Sequence, residues 1–429
     1  SNSRSLKGLV YAALRQVIAK HSVLSAIALD EDKSYPSVYF ARLLSIDLRT
    51  CVEFQERKDP VPGDGETDKE LEQLLTDQHA RNYKDNLGSK PFWRLAILSS
   101  HSHGSTFTAA WIFHHALADG SSAFLFHNTF LAALNSRELD PNTNAIVEPP
   151  TKPLPPPFED LHPMPISWSF LLTNVAKFLL PSILYKRPTR LWTGNSIPSA
   201  IPTPPRFRFH TLVFSTATTQ RLAQLSRREG VSVTATLQCM VTGSLFSNIP
   251  AEQFDKIAVM GPMAARPFLK DVQEDQMTNA LTEWTYTHHR EKAGMFSWEE
   301  ARAVKSTILS IAAQSGRDNP IALLKNISSV HNYLDSHLGN ERMPSFELSN
   351  IGVYKTKDDR LRTWGIGRMT FSQCANPTGP AFGVNVVTGG DGNATLNFCW
   401  GDAALEDGLM DKVVVGVREG VKALVDAEE

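Results

Sequence analysis

Thr106–Phe113, TFTAAWIF, runs into His114-His115-Ala116-Leu117-Ala118-Asp119-Gly120, and that heptapeptide runs into Ser121–Leu134, SSAFLFHNTFLAAL. The first segment is rich in threonine, aromatic and β-branched residues and predicts a strand. The last puts Phe124, Leu125, Phe130, Leu131 and Leu134 on one side of a predicted helix. A polar turn between a strand and a helix is a natural place for chemistry. Side chains at the carboxyl end of the strand there sit in a crevice beside a helix N-terminus. Histidine both accepts and donates protons near neutrality. An aspartate four residues after His115 can hold the turn, by an ion pair or by capping the helix. Gly120 allows a backbone conformation or a close approach that a Cβ would forbid.

Outward from this segment, both directions alternate strands with helices. Towards the N-terminus lie an amphipathic helix over Leu6–His21, short strands at Ser37–Phe40 and Ile46–Phe54, and a turn-rich loop at Asp59–Asp68. A helix over Leu71–Asn82 and a strand over Phe92–Ser99 follow. Proline is dense from Glu148 to Pro165 and again from Ser196 to Pro205. The first stretch reads as a surface excursion and the second as a connection between domains. Beyond it come a strand at Phe207–Ser215, helices at Ala217–Glu229 and Val233–Phe246, and a strand at Lys256–Pro262. Further strands fall at Phe346–Gly352, Gly383–Val387 and Thr395–Trp400, and an amphipathic helix at Leu409–Val425 closes the chain. The fold class is α/β, an α+β sandwich of two domains, 1–200 and 201–429.

The length of 429 residues suits two domains of roughly 200. Hydrophobic residues at 42% and charged residues at 21% give both halves a core. With 43 Lys+Arg against 45 Asp+Glu, the chain as a whole offers nucleic acid no basic attraction. Cys51, Cys239, Cys374 and Cys399 form no C-x-x-C pair, so four reduced thiols and no structural zinc are expected. Ser1–Arg4 carries no apolar leader, and a cytoplasmic monomer is the expectation. Ile166–Leu184 is interrupted by Asn174, Lys177 and Pro181 and falls short of a membrane span. It reads as an amphipathic helix packed on the protein, or as a surface touching lipid or a greasy substrate; membrane association is compatible with it and not required.

The heptapeptide resembles the HHxxxDG motif of the chloramphenicol acetyltransferase-like acyltransferases, which include plant BAHD enzymes, nonribosomal condensation domains and fungal alcohol acetyltransferases. Trp111-Ile112-Phe113, Ser121–His127 and Ala132-Ala133-Leu134-Asn135 are most similar to the fungal group. So are Pro163–Trp168, Trp192-Thr193-Gly194 and Leu348-Ser349-Asn350-Ile351-Gly352. The resemblance implies two acyltransferase-like domains, each a mixed sheet with flanking helices, meeting at a channel. It implies His115 as general base, removing a proton from an acceptor that attacks the thioester of acetyl-CoA or another acyl-CoA directly. It implies that Asp119 turns away from substrate to pair with Arg266, while His114 and Gly120 shape the motif. No metal is implied. The nearest counterpart of the BAHD DFGWG motif, Asn397-Phe398-Cys399-Trp400-Gly401, lacks its Asp and central Gly and departs from the plant branch.

Ser349, Asn350 and Ser372 follow or border predicted strands and are candidate donors to an oxyanion or an acceptor. His288-His289-Arg290 lacks metal-site spacing, and His101 and His103 read as turn residues. The expected activity is O-acetylation of a small apolar alcohol or specialised metabolite, with N-acylation open. A condensation-type enzyme fed by a carrier protein and a non-catalytic binding relative are the alternatives.

Overall fold

The computed structural model describes residues 5–100, 106–136, 144–162, 164–179, 189–269, 272, 275–355 and 363–427. His101 and His103 lie outside them, as does Ile166–Leu184 beyond residue 179. Among the described residues two large buried cores form. One draws on Val10, Leu14, Trp93, Leu95, Phe126 and their neighbours up to Val147, with Met277. The other draws on Leu212, Val241, Phe346, Val384, Phe398 and Val417.

In the first half, Val52–Glu56 pairs parallel with Trp93–Ser99, which pairs antiparallel with Phe107–Phe113. The segment read as one strand over Ile46–Phe54 is broken. Asp47 accepts hydrogen bonds from the backbone and side chain of Arg49, and the resulting tight turn at Leu48–Thr50 separates Ile46–Asp47 from Val52–Glu56.

The second half is built on a seven-stranded mixed sheet. Its order is Leu281–His289, Lys256–Ala264, Phe346–Val353, Phe382–Thr388, Ala394–Gly401, Phe207–Phe214, with Leu191–Trp192 also paired to Lys256–Ala264. The helices Val233–Asn248 and Leu409–Asp426 cover one face. The first of these is buried along almost its whole length, which is why its sequence shows apolar or small residues all round rather than a stripe. The strand Leu281–His289 and the helix Trp298–Ala313 were not foreseen. The strand's alternation of Thr282 and Trp284 with more exposed neighbours was available as a signal.

The Phe346–Val353 strand alternates faces. Phe346 and Leu348 enter the second core, and Glu347, Ser349 and Ile351 face the first half. The helix Lys69–His79 bridges the halves: Glu72 accepts from the Thr211 backbone at 2.7 Å, and His79 stacks on Phe209. The helix Trp168–Leu179 departs from a packed amphipathic helix, because Trp168, Leu172 and Val175 are exposed along one side. Among the described residues no helix is long and apolar enough to cross a membrane.

Candidate active site

The strand Phe107–Phe113 and the helix Gly120–Leu134 bracket the histidine motif. Asp119 is the helix N-cap and fully buried. Its Oδ1 accepts from Ser122 N at 2.8 Å and from Arg266 Nη2 at 2.9 Å, and its Oδ2 accepts from Ala280 N at 3.2 Å. Ser122 Oγ lies 3.0 Å from the same carboxylate and 2.8 Å from Thr278 O, either of which takes its one proton. Arg266 also donates to the carbonyls of Gln276 at 2.8 Å and Thr278 at 3.0 Å. Both carboxylate oxygens of Asp119 are bonded to the scaffold, and the side chain is sealed from solvent. These contacts tie the motif to the segment Gln276–Ala280.

Gly120 needs no unusual backbone angle; it needs space. A Cβ there would stand 2.3 Å from Cγ2 of Ile351. The second half of the chain thus rests directly on the start of the motif helix.

The two histidines diverge. His114 Nδ1 accepts from Ala116 N at 3.2 Å, so its proton sits on Nε2, which lies 3.2 Å from Glu31 Oε1. That hydrogen bond holds the Glu31 carboxyl below the usual carboxylate range. His115 is exposed, and its ring borders a cavity of about 1410 Å³. Asn279 Nδ2 donates to the His115 carbonyl at 2.9 Å and lies 3.4 Å from its Nδ1. The second separation is too long to fix the tautomer. Nε2 of His115 has no hydrogen-bond partner among the described residues.

The cavity runs between the halves. Trp111, Phe113, Phe124, Phe130, Trp364 and Phe371 give it an aromatic wall, and Glu347, Ser349, Ile351 and Gly383 lie along the sheet face opposite. Ser349 borders it and is 4% exposed, with no partner for its hydroxyl among the described residues. Asn350 also borders the cavity, but its side-chain amide is already bonded, donating to Thr234 Oγ1 at 3.0 Å and accepting from Gly352 N at 2.9 Å. Strand alternation sends it towards the helix behind the sheet. Ser372 borders the cavity and lies 2.9 Å from His79 Nε2. His79 and His127 also line the cavity, and burial pushes each imidazole down to about 4, leaving both neutral at pH 7. His288 is a core residue, 2.9 Å from Glu300 and 2.8 Å from Gln238.

Asn279, Ser122, Thr278, His79 and His127 were not singled out from sequence. A short polar residue ahead of a strand carries no mark of its partner 164 positions away, as Asn279 shows for His115.

The combination of mixed sheets, a motif at a strand–helix turn and a cavity between the halves is that of the chloramphenicol acetyltransferase-like acyltransferases. Solved structures share the fold. Trichothecene 15-O-acetyltransferase TRI3 from Fusarium sporotrichioides superposes with a TM-score of 0.64 at 14% identity, covering 97% of this chain and 86% of that one. The epimerization domain from the third module of tyrocidine synthetase B does so at 0.57 and 14% identity, over 98% and 89%.

The alcohol acetyltransferase family model matches residues 62–407. The probable alcohol acetyltransferase crmB of Aspergillus fumigatus is 33% identical over 96% of this chain and 89% of its own length. The probable alcohol acetyltransferase FCK4 of Fusarium pseudograminearum is 21% identical over 97% and 86%. The chain belongs to the alcohol acetyltransferase family and is an acyltransferase.

Proposed function

We propose that the chain transfers an acetyl group from acetyl-CoA to the hydroxyl of a small, largely apolar alcohol, with His115 as general base. Residues 1–200 and 201–429 act as two lobes that bring donor and acceptor together in the cavity. His115 takes the hydroxyl proton as the acceptor oxygen attacks the thioester carbonyl. The C–O bond forms, and the tetrahedral oxyanion accepts a hydrogen bond from Ser349. The C–S bond then breaks and the departing thiolate receives the proton back from His115. No acyl-enzyme is formed. The aromatic wall holds the apolar body of the acceptor and excludes water, which would otherwise compete as nucleophile.

The observation that carries this reading is the contrast within one motif. His115 opens on the cavity with an unengaged Nε2, while Asp119 is sealed into the scaffold. Membership of the alcohol acetyltransferase family supports a hydroxyl acceptor. The test is incubation with acetyl-CoA and a panel of lipophilic alcohols and amines, reading free thiol. His115→Ala is expected to lose roughly a thousandfold or more in turnover while keeping the wild-type melting temperature. Undiminished turnover in that variant sinks the assignment.

A further inference from the structure

The sheet face of the cavity holds a carboxyl group that the acyl-transfer chemistry does not use. Along Phe346–Val353 the residues bordering the cavity are Glu347, Ser349, Asn350 and Ile351, and of these the Asn350 side chain is already bonded to Thr234 and Gly352. Ile351 marks the reacting end, because its methyl group sits against Gly120. Ile351 is four positions along the strand from Glu347, which places the carboxyl roughly 13 Å further along the floor. That distance is the length of a medium-sized acceptor.

Glu347 is poorly satisfied by the protein. Its polar neighbour is Gln373 Nε2 at 3.5 Å, the outer limit of a hydrogen bond, and that amide is better placed on Asn385 Oδ1 at 2.7 Å. Neither Glu347 nor Glu283, a second carboxyl on the sheet, has an ion-pair partner among the described residues. Burial raises the Glu347 carboxyl above its ordinary value, with Gln373 opposing. Burial and then the charge of Glu347 raise Glu283. Two carboxyls without a described counter-ion, of which Glu347 borders the cavity, are costly to keep in the sheet.

Two features leave Glu347 open to a ligand. Its cross-strand partner is Gly383, where a Cβ would stand 3.0 Å from Cys399 Sγ, so no side chain covers the carboxyl from that strand. Ser349, on the same face and nine-tenths buried, directs a hydroxyl with no described partner into the space between Glu347 and the motif. Coenzyme A does not suit this end, since its phosphates repel a carboxylate.

We propose that Glu347 is a specificity residue, binding a protonated amine at the end of the acceptor remote from the hydroxyl that is acylated. The acceptor is then an amino alcohol with an apolar body, its body on the aromatic wall and its ammonium on Glu347. A buried ammonium–carboxylate contact made in this way supplies the counter-ion that the protein lacks. The orientation of the acceptor rests on the acetyl-transfer reading; the amine subsite itself does not.

The test uses a matched pair: dimethylamino-octanol, with hydroxyl and amine at opposite chain ends, and its carbon analogue ending in isopropyl. Calorimetric binding of each to the wild-type protein and to Glu347→Gln separates charge recognition from shape. The amine is expected to bind wild type about tenfold more tightly than the carbon analogue, and that preference should vanish in Glu347→Gln. Binding of the carbon analogue, unchanged between the two proteins, shows that the variant is folded. No binding of the amine, equal binding of the pair to wild type, or a preference retained by Glu347→Gln overturns the proposal. Thiol release from acetyl-CoA is measured alongside. If neither alcohol releases thiol while the charge preference holds, the acetyl-transfer reading fails and the amine subsite stands.

Discussion

The side-chain amide of Asn279 donates to the backbone carbonyl of His115 at 2.9 Å, joining the residue at the head of the motif turn to the segment that leads into the strand Leu281–His289. The neighbouring residues of that segment, Thr278 and Ala280, contact Ser122 and Asp119. One stretch of the second half therefore grips the motif at both ends. The backbone of His115 is thus held by residues that do not line the cavity.

Asn279→Ala should accordingly lower kcat roughly tenfold and leave KM for both substrates within about twofold, because the base is misplaced while the binding walls remain. Steady-state kinetics with acetyl-CoA and an accepted alcohol measure this. A variant with wild-type kcat would show that the motif turn holds its shape without the amide.

Arg266 has a different task. Replacing it with methionine leaves the Asp119 carboxylate fully buried with its hydrogen bonds from Ser122 and Ala280 but without its cation. Breaking such a pair from one side costs about 3 kcal/mol. Chemical denaturation of Arg266→Met should report that loss. The double variant with Asp119→Asn should lose less than the sum of the single variants, since the uncompensated charge is gone.

Much of this was legible in the chain because the motif is local. The strand, turn and helix around His114–Gly120 are consecutive, so their periodicities and the Asp–Gly spacing sit in a single window. The space needed at Gly120 was also visible as a need, though not its cause, since Ile351 is distant in sequence. Positions whose meaning lies in a partner were silent. Asn279 resembles any loop asparagine until His115 is beside it, and Glu347 resembles any strand glutamate until its face is known. The break at Leu48–Thr50 escaped notice because one Asp–Arg contact outweighs the β propensity of the residues around it.

Gly120 and Ile351 form a steric pair that can be tested by compensation. A methyl group at position 120 would overlap Ile351 Cγ2, so Gly120→Ala should cost about 1–3 kcal/mol and reduce activity as the helix moves off the sheet. Adding Ile351→Ala removes the obstructing methyl and should restore part of the turnover. If the double variant is no better than Gly120→Ala alone, the glycine is needed for something other than that contact.

Three imidazoles set an acid limit on stability. Burial pushes His21, His79 and His127 each down to about 4. Unfolded histidines take protons near pH 6.5, so below that the unfolded chain binds more protons than the folded one. Stability is therefore fully present above about pH 6.5 and falls as the pH drops towards 4. The melting temperature should decline between pH 7 and pH 5, and His79→Gln or His127→Gln should each flatten the decline. A wild-type melting temperature that is level across this interval would contradict the neutral, buried assignment.

Ser349 is the group best placed to separate transition-state from ground-state binding. Its hydroxyl borders the cavity without a described partner, between Glu347 and the Ile351 contact with Gly120. As an oxyanion donor it acts on a charge that exists only after attack on the thioester. Its removal should then lower kcat and kcat/KM together, by roughly a hundredfold, with KM for acetyl-CoA unchanged. Ser349→Ala tests this, and Ser349→Thr, which keeps a hydroxyl, should recover part of the rate. A rise in acceptor KM at constant kcat would instead assign the hydroxyl to holding the bound alcohol, since a contact made equally in ground and transition states changes binding without changing turnover.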